Sequence, residues 1–247
     1  MTVLEVHDVA FRYPDGTLAL DGVDLTVARG ERVAVLGPNG AGKTTLVLAL
    51  NGINAPSRGS VVVGGLDVDK ANLAEIRRRV GIVFQDPDDQ LFMPTVGEDV
   101  AFGPSNLGLR GEELASRTAQ ALAAVGMAHA AERAPHHLSF GERRRVALAT
   151  VLAMHPDVLV LDEPSSNLDP VARRELAEIV LGLDVTTLMV THDLPYALQL
   201  CGRAVILDGG RIVADGPTGE VLADREVMAA HRLELPFGFD PQAVARA

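Results

Sequence analysis

Residues 37–44, GPNGAGKT, have the composition and spacing of a phosphate-binding loop and directly follow the apolar run VAVL. Glycines in such a loop let backbone N–H groups surround phosphate oxygens, and the following helix directs its positive end at them. Lys43 would place a compact charge on the phosphates, and Thr44 could hold Mg²⁺. Only Lys43 and Lys70 of the 22 basic residues are lysines, which favours a phosphate site over an ordinary strand-to-helix turn.

A second group, VLVLDEP at residues 158–164, places two acids at the end of an apolar run. Asp162 would bind Mg²⁺ through its water shell, and Glu163 would orient or deprotonate an attacking water. Paired acids after a strand can also cap a helix, and for this pair alone that interpretation would be preferred. Beside a phosphate-binding loop, the catalytic interpretation is favoured.

Short apolar runs that alternate with longer helical patterns are predicted to position these residues. Nearly continuous apolar strands separated by helices predict an α/β fold with a parallel sheet buried on both faces. The runs are VAVLG at 33–37, RVGIVF at 79–84, DVLVLD at 157–162, TTLMVT at 186–191 and AVILDG at 204–209.

The segments around this sheet have other patterns. LEVHDVAFRY and LDGVDLTVARGE predict antiparallel strands, with turns at Asp15-Gly16 and Arg29-Gly30. From about 94 to 150 no strong strand occurs and one helical pattern does, which predicts an inserted helical lobe. We expect one domain over residues 1–220 and a peripheral C-terminal tail over 221–247.

Composition narrows the classes of function. The chain has 247 residues, a formal net charge of -11 and a pI of about 5.0, which argues against binding nucleic acid or an anionic membrane unaided. No apolar run approaches the ~20 residues needed to cross a bilayer, and the N-terminus does not resemble a signal peptide. Cys201 is the single cysteine, which suits a reducing compartment. We expect a cytoplasmic protein whose membrane role would need a protein partner.

Four further stretches complete a specific order of motifs: Gln85 after VGIVF, LSFGE at 138–142, SNLD at 166–169 and His192 after LMVT. With these motifs, residues 2–220 resemble the ATP-binding cassette (ABC) family. The resemblance implies a P-loop NTPase (RecA-like) core with a parallel sheet, an N-terminal antiparallel β subdomain and the inserted helical lobe. It also implies an ATPase that uses ATP and Mg²⁺.

The resemblance also implies roles for individual residues. Glu163, His192 and Gln85 would form the catalytic group, and Thr44, Gln85 and Asp162 would be the metal ligands. Tyr13 matches the aromatic residue that stacks on adenine, and a core tyrosine is an equal alternative. Nucleotide contacts are implied for Tyr13, Gly37, Pro38, Asn39, Gly40, Ala41, Gly42, Lys43, Thr44, Thr45, Ser139, Gly141 and Asp169.

The stretch LSFGE has a local explanation and a functional one that agree. Ser139 and Glu142 have the spacing of a capping box, and a capped helix start is an anion site. In the ABC family this segment meets the γ-phosphate held by the opposite subunit, so two ATP molecules lie between two subunits and a lone chain should be nearly inactive. The usual LSGGQ becomes LSFGE here, with Phe140 and Glu142 as the departures. The run Arg143 to Arg145 is expected to be a solvated helix face.

Residues 80–109, which include FQDPDDQLF, look like the energy-coupling factor (ECF) ATPases, particularly the cobalt and nickel type. That resemblance implies a short helix after Gln85 that receives arginine-bearing coupling helices of a transmembrane scaffold near Asp88, Asp89 and Gln90. A solvated turn is the alternative.

The implied assembly contains a second, identical or paralogous cassette and a separate membrane substrate-binding component, at the cytoplasmic face of the membrane. A vitamin as cargo, a soluble ABC ATPase unconnected to transport and a non-hydrolysing scaffold remain alternatives.

Overall fold

Ten strands occur in the part of the chain that the computed structural model describes, residues 1–244. Their bounds are β1 Thr2–Arg12, β2 Leu18–Ala28, β3 Arg32–Leu36, β4 Arg58–Val63, β5 Leu66–Asp67, β6 Val80–Val83, β7 Val158–Asp162, β8 Thr186–Val190, β9 Arg203–Asp208 and β10 Arg211–Pro217. The main helices are α1 Lys43–Leu50, α2 Leu73–Arg79, α3 Val96–Asn106, α4 Gly111–Ala124, α5 Phe140–Leu152, α6 Pro170–Gly182, α7 Leu194–Leu200, α8 Thr218–Ala223, α9 Arg225–Ala230 and α10 Pro241–Val244.

The larger sheet has six strands in the order β10-β9-β3-β8-β7-β6. The strands from β9 to β6 are parallel to their neighbours, and β10 is antiparallel to β9. The five apolar runs are all in this sheet, so the predicted parallel core is confirmed. The parallel arrangement brings the carboxyl ends of β3, β6 and β7 to one edge, where the predicted chemistry lies.

The smaller sheet is antiparallel, in the order β2-β1-β4-β5. Its first two strands are the predicted N-terminal pair. The strands β4 and β5 were not predicted from the sequence, and neither was the edge strand β10.

Alternation along β3 shows how the two halves of the core form. Val33 and Val35 pack with the smaller sheet and α1, whereas Ala34 and Leu36 pack with α5, α6 and α7 on the opposite face. A strand buried on both faces has no polar side, which explains its continuous apolar sequence. The loop after β3 is therefore fixed from both sides.

Between β6 and β7, the described elements are helical. The helix α3 packs against α4 and α5, and Thr95 and Glu98 form a capping box at its start. The helical pattern in the sequence corresponds to α4, which buries Ala121 and Leu122. The limits 94–150 for a separate lobe remain a prediction.

The C-terminal segment differs from the peripheral tail expected for 221–247. The boundary at residue 220 falls inside α8, and Val221, Leu222, Met228 and Leu233 are buried in the core. The helices α8 and α9 have six residues each, too few turns for a periodic pattern to appear in the sequence. The expectation is thus wrong for 221–233, and residues 245–247 lie outside the described part.

Of the helices described, none is both long and apolar enough to cross a membrane.

Candidate nucleotide site

The loop between β3 and α1 requires glycine at two positions. Gly37 and Gly42 have φ values of 147° and 105°, which L side chains rarely adopt. A Cβ at Gly37 would collide with the carbonyl oxygen of Leu207, and one at Gly42 would collide with that of Ala19. The loop is thus pressed closely against two neighbouring strands.

Lys43 begins α1 and turns its side chain back over this loop. Its Nζ donates to the carbonyl oxygens of Gly37 at 2.7 Å and Pro38 at 3.0 Å. Burial lowers the pKa of Lys43, and the charges of Glu163 and Asp162 oppose that effect. The ammonium group is therefore held between the loop and the two acids, where phosphate oxygens would be bound.

The two acids have different partners. Asp162 ends β7, and burial followed by the charge of Glu163 raises its pKa, while Lys43 lowers it. Glu163 has a φ of 45°, and its Oε2 accepts from Thr191 Oγ1 at 3.1 Å and from the His192 backbone N at 3.3 Å. His192 Nδ1 lies 2.9 Å from Glu163 Oε1. Glu163 and His192 are thus adjacent. The two residues that directly follow β8, Thr191 and His192, orient the Glu163 carboxylate.

A cavity of about 390 Å³ opens in front of these groups. Among the residues predicted to bind nucleotide or metal, it is lined by Tyr13, Asn39, Gly40, Gly42, Lys43, Thr44, Thr45, Gln85, Asp162 and Glu163. Gly37, Pro38 and Ala41 do not line the cavity. They belong to the part of the loop behind it. Thr17, Leu18, Ala19 and Val190 also line it and were missed. Leu18 and Ala19 belong to β2, Thr17 to the turn before it and Val190 to β8, and local sequence carries no signal for them.

Tyr13 lies at the edge of the cavity and is 38% exposed. Its hydroxyl is 2.9 Å from Thr45 Oγ1, and its ring meets Phe11 edge-on at 5.0 Å. This position does not fit a core tyrosine. Stacking on adenine remains a prediction.

The three predicted nucleotide contacts from LSFGE and SNLD lie outside the cavity. Ser139 Oγ accepts from the Glu142 N at 3.3 Å, and the Ser139 N donates to Glu142 at 2.7 Å, which is the predicted capping box. A Cβ on Gly141 would lie 2.8 Å from that of Ala172. Asp169 caps α6. One chain therefore does not bring these groups to its own phosphate loop.

The arginine run after this motif is not the solvated face expected. Arg144 is 1% exposed. Arg143 pairs with Asp88 at 3.0 Å, and Arg145 pairs with Glu175. The helical period explains the error, because Arg144 occupies the same face of α5 as the buried Ala147, Leu148 and Val151.

The donor groups in the cavity fit Mg²⁺. Thr44 supplies a hydroxyl, Gln85 an amide oxygen and Asp162 a carboxylate, and all three line the same space. Oxygen donors suit this hard cation, which keeps several of its waters. Bound there beside nucleotide phosphates, Mg²⁺ would neutralise charge that develops on phosphate oxygens.

A phosphate loop between β3 and α1, with paired acids at the end of a nearby parallel strand, defines a P-loop NTPase. The family described as ABC transporter matches residues 20–166, and the chain belongs to that family. It is therefore an ATP-hydrolysing subunit of an ABC transporter. ABC ATPases bind ATP, dimerise and pair with a transmembrane subunit, and they generally use Mg²⁺.

Individual relatives agree with this assignment. A Streptomyces coelicolor protein, provisionally named an ABC transporter ATP-binding protein, is 70% identical over 98% of this chain and 93% of its own length. The energy-coupling factor transporter ATP-binding protein EcfA of Methanothermobacter thermautotrophicus is 49% identical over 95% of this chain and 77% of its own length. The structure of cbiO1 from Clostridium perfringens, part of the ABC transporter complex cbiONQ, has a TM-score of 0.84 and 38% identity, covering 95% of this chain and 96% of that one.

Proposed function

We propose that this ATPase drives an ECF-type importer of cobalt or nickel ions from the cytoplasmic face of the membrane. Its partners would be a second cassette, an arginine-bearing transmembrane scaffold and a separate membrane substrate-binding component. The likeness to EcfA and to cbiO1 supports the importer type. The observation that carries the proposal is the acidic segment that directly follows Gln85.

In the proposed mechanism, the phosphate loop and Lys43 bind the β- and γ-phosphates, and Tyr13 stacks on adenine. Glu163 takes a proton from the attacking water, since Thr191 and His192 already fix the orientation of its carboxylate. A second cassette adds its Ser139 and Gly141 to the γ-phosphate, which explains why these residues lie outside the cavity of their own chain.

The acidic segment is held in place by local hydrogen bonds. Asp86 accepts from the Asp88 N at 2.9 Å and starts a short 3-10 helix, Pro87–Asp89. Gln90 anchors it, because its amide nitrogen donates to the Ala147 carbonyl at 2.8 Å and to Thr150 Oγ1 at 2.7 Å. The side chain of Gln90 thus points inward. Asp86, Asp88 and Asp89 are exposed, and of these Asp86 already accepts a bond from the backbone of the segment.

Two open grooves flank this segment. One, of about 380 Å³, is lined by Asp88, Leu91, Phe92, Met93, Pro135, His136 and Arg143. The other, of about 460 Å³, follows β6, the edge strand of the sheet, and is lined by apolar side chains together with Asn51, Arg77 and Thr150. Phe92 is 63% exposed and packs edge-on against the exposed Phe102.

Exposed carboxylates beside apolar side chains such as Phe92 and Met93 fit a helical segment that carries an arginine between apolar side chains. Arginine forms charge-assisted hydrogen bonds with carboxylates. A positively charged partner also meets little electrostatic repulsion on a protein whose net charge is -11. Asp88 already has such a partner within the chain, Arg143. A scaffold arginine would therefore share the Asp88 carboxylate with Arg143, whereas Asp89 is exposed and has no ion pair among the described residues, so it is open to receive one.

The test replaces the two acids and keeps the rest of the chain. Asp88→Lys with Asp89→Lys should retain near-normal ATP binding and melting temperature, because neither residue lines the nucleotide cavity. Co-purification with the transmembrane subunit should be lost, since like charges would face each other. Cells should also lose uptake of radioactive cobalt or nickel.

The matched control is Glu112→Lys with Glu113→Lys, which makes the same charge change at another exposed acidic pair, in the first turn of α4. This control should assemble and transport normally. Normal assembly of the Asp88 and Asp89 variant would overturn the docking assignment. Uptake of a vitamin but not of either metal by the wild-type complex would overturn the cargo.

A further inference from the structure

Arg144 is a buried cation that joins three segments of the chain. Its Nη1 donates to the Phe84 carbonyl at 2.8 Å, and its Nη2 reaches the Ser166 carbonyl at 3.5 Å. Its guanidinium carbon lies 5.4 Å from the centre of the Phe140 ring. With 1% exposure, this side chain cannot serve solubility.

The environment of Arg144 is costly for a cation. Within the described residues it has no carboxylate at ion-pair distance, and its buried Nε has no hydrogen-bond partner. Even a buried ion pair can often be replaced by apolar side chains of similar volume without loss of stability. The contacts of Arg144 therefore point to a role beyond filling space.

The three segments all adjoin predicted nucleotide contacts. Phe84 directly precedes Gln85, which lines the cavity of this chain. Ser166 lies between the base Glu163 and the cap residue Asp169. Phe140 follows Ser139 in the first turn of α5, which faces away from this cavity and would meet the nucleotide of a second copy. One guanidinium thus connects groups that belong to two different ATP sites.

We propose that Arg144 is a positioning residue that couples the ATP site of its own chain to the LSFGE segment presented to the second cassette. The inference rests on the proposed roles of Gln85 and Ser139, and it is independent of the membrane partner and the cargo. Loss of Arg144 would leave each ATP-binding loop intact. It would uncouple the two halves of the composite sites, so hydrolysis would suffer more than binding.

The test compares purified full-length Arg144→Met and Arg144→Lys with Arg145→Met, a change to the next arginine, whose partner is Glu175. Affinity for a fluorescent ATP analogue should stay within about threefold in all three. Arg144→Met should lower kcat by about ten- to a hundredfold, the range for losing hydrogen bonds to a charged group. Its Hill coefficient for ATP should fall towards one. Arg144→Lys, which can keep one of the two bonds, should be intermediate.

Arg145→Met should retain kcat and the Hill coefficient. Normal kcat and cooperativity in both Arg144 variants would overturn the proposal. An equal loss in Arg145→Met would do the same, because it would reflect damage to α5 in general. Failure of both Arg144 variants to fold would also overturn it, by showing that Arg144 only maintains the fold. Neither kcat nor the Hill coefficient depends on assembly with the scaffold, so failure of the ECF assignment stays distinguishable.

Discussion

Two pairs of adjacent acids follow neighbouring parallel strands, and their surroundings are opposite. Asp162 and Glu163, after β7, are 8% and 9% exposed, whereas the Asp88 side chain, beyond the end of β6, is 66% exposed. The strand β7 lies between β6 and β8, and β6 is the edge of the sheet. The acids at the end of the interior strand are thus enclosed by the fold. Acids beyond the edge strand are available to another protein.

The partners of the two pairs reinforce this difference. The buried pair lies near Lys43, and burial and the charge of Glu163 raise the pKa of Asp162, an effect that Lys43 opposes. The exposed pair is held through the backbone by Asp86 and Gln90, and only Asp88 has an ion pair within the described residues.

The largest effect is expected from Glu163→Gln. The amide cannot accept the proton of the attacking water, so ATP hydrolysis should fall by roughly 10²- to 10⁴-fold, the range for loss of a general base. ATP and Mg²⁺ should still bind, and closed dimers should accumulate, which light scattering with ATP would detect. Glu112→Gln on α4 is the control and should hydrolyse normally. Normal turnover in Glu163→Gln would remove Glu163 from the mechanism.

The next effect is expected from Lys43→Ala, which acts earlier. Its ammonium is the cation nearest the buried acids and the loop. ATP affinity should fall by about ten- to a hundredfold, because charged hydrogen bonds to phosphate are lost. Lys43→Arg should not restore it, since a planar guanidinium does not fit between the carbonyls that now hold Nζ. Equilibrium titration with a fluorescent ATP analogue measures the affinity of both variants. Unchanged affinity in either variant would contradict the proposed contact between Lys43 and the phosphates.

Most residues that line the candidate site could be predicted from the sequence because their signals are local. The phosphate loop has its own spacing, Asp162 and Glu163 directly follow a strand, and Ser139 with Glu142 forms a capping box within four residues. Each of these patterns depends on backbone geometry over one turn or one strand end. The parallel sheet could also be predicted, because its continuous apolar strands alternate along the sequence with helical patterns.

The missed features depend on contacts that are distant in sequence. Thr17, Leu18 and Ala19 reach the cavity because the smaller sheet packs beside the loop. Arg144 was misjudged because three consecutive arginines suggest solvent, although helical spacing from Arg144 to Ala147, Leu148 and Val151 carried the signal. Thr191 was another missed residue, and its position next to His192 was the only indication of its bond to Glu163.

The smallest effect is expected from Asp88→Ala in the isolated chain, and it sharpens the contrast with buried acids. The Asp88–Arg143 pair is exposed on the acid's side, so its loss should lower the free energy of unfolding by less than about 1 kcal/mol. Asp99→Ala is the control. Asp99 is 3% exposed and accepts from the backbone N of Phe92 and Met93 at 3.0 Å each. Its loss leaves two backbone donors without a partner and should lower the free energy of unfolding by about 2 to 4 kcal/mol. Urea unfolding of both variants gives the comparison. A cost for Asp88→Ala as large as that for Asp99→Ala would mean that the acid maintains the fold, and its availability to a membrane partner would lose its physical basis.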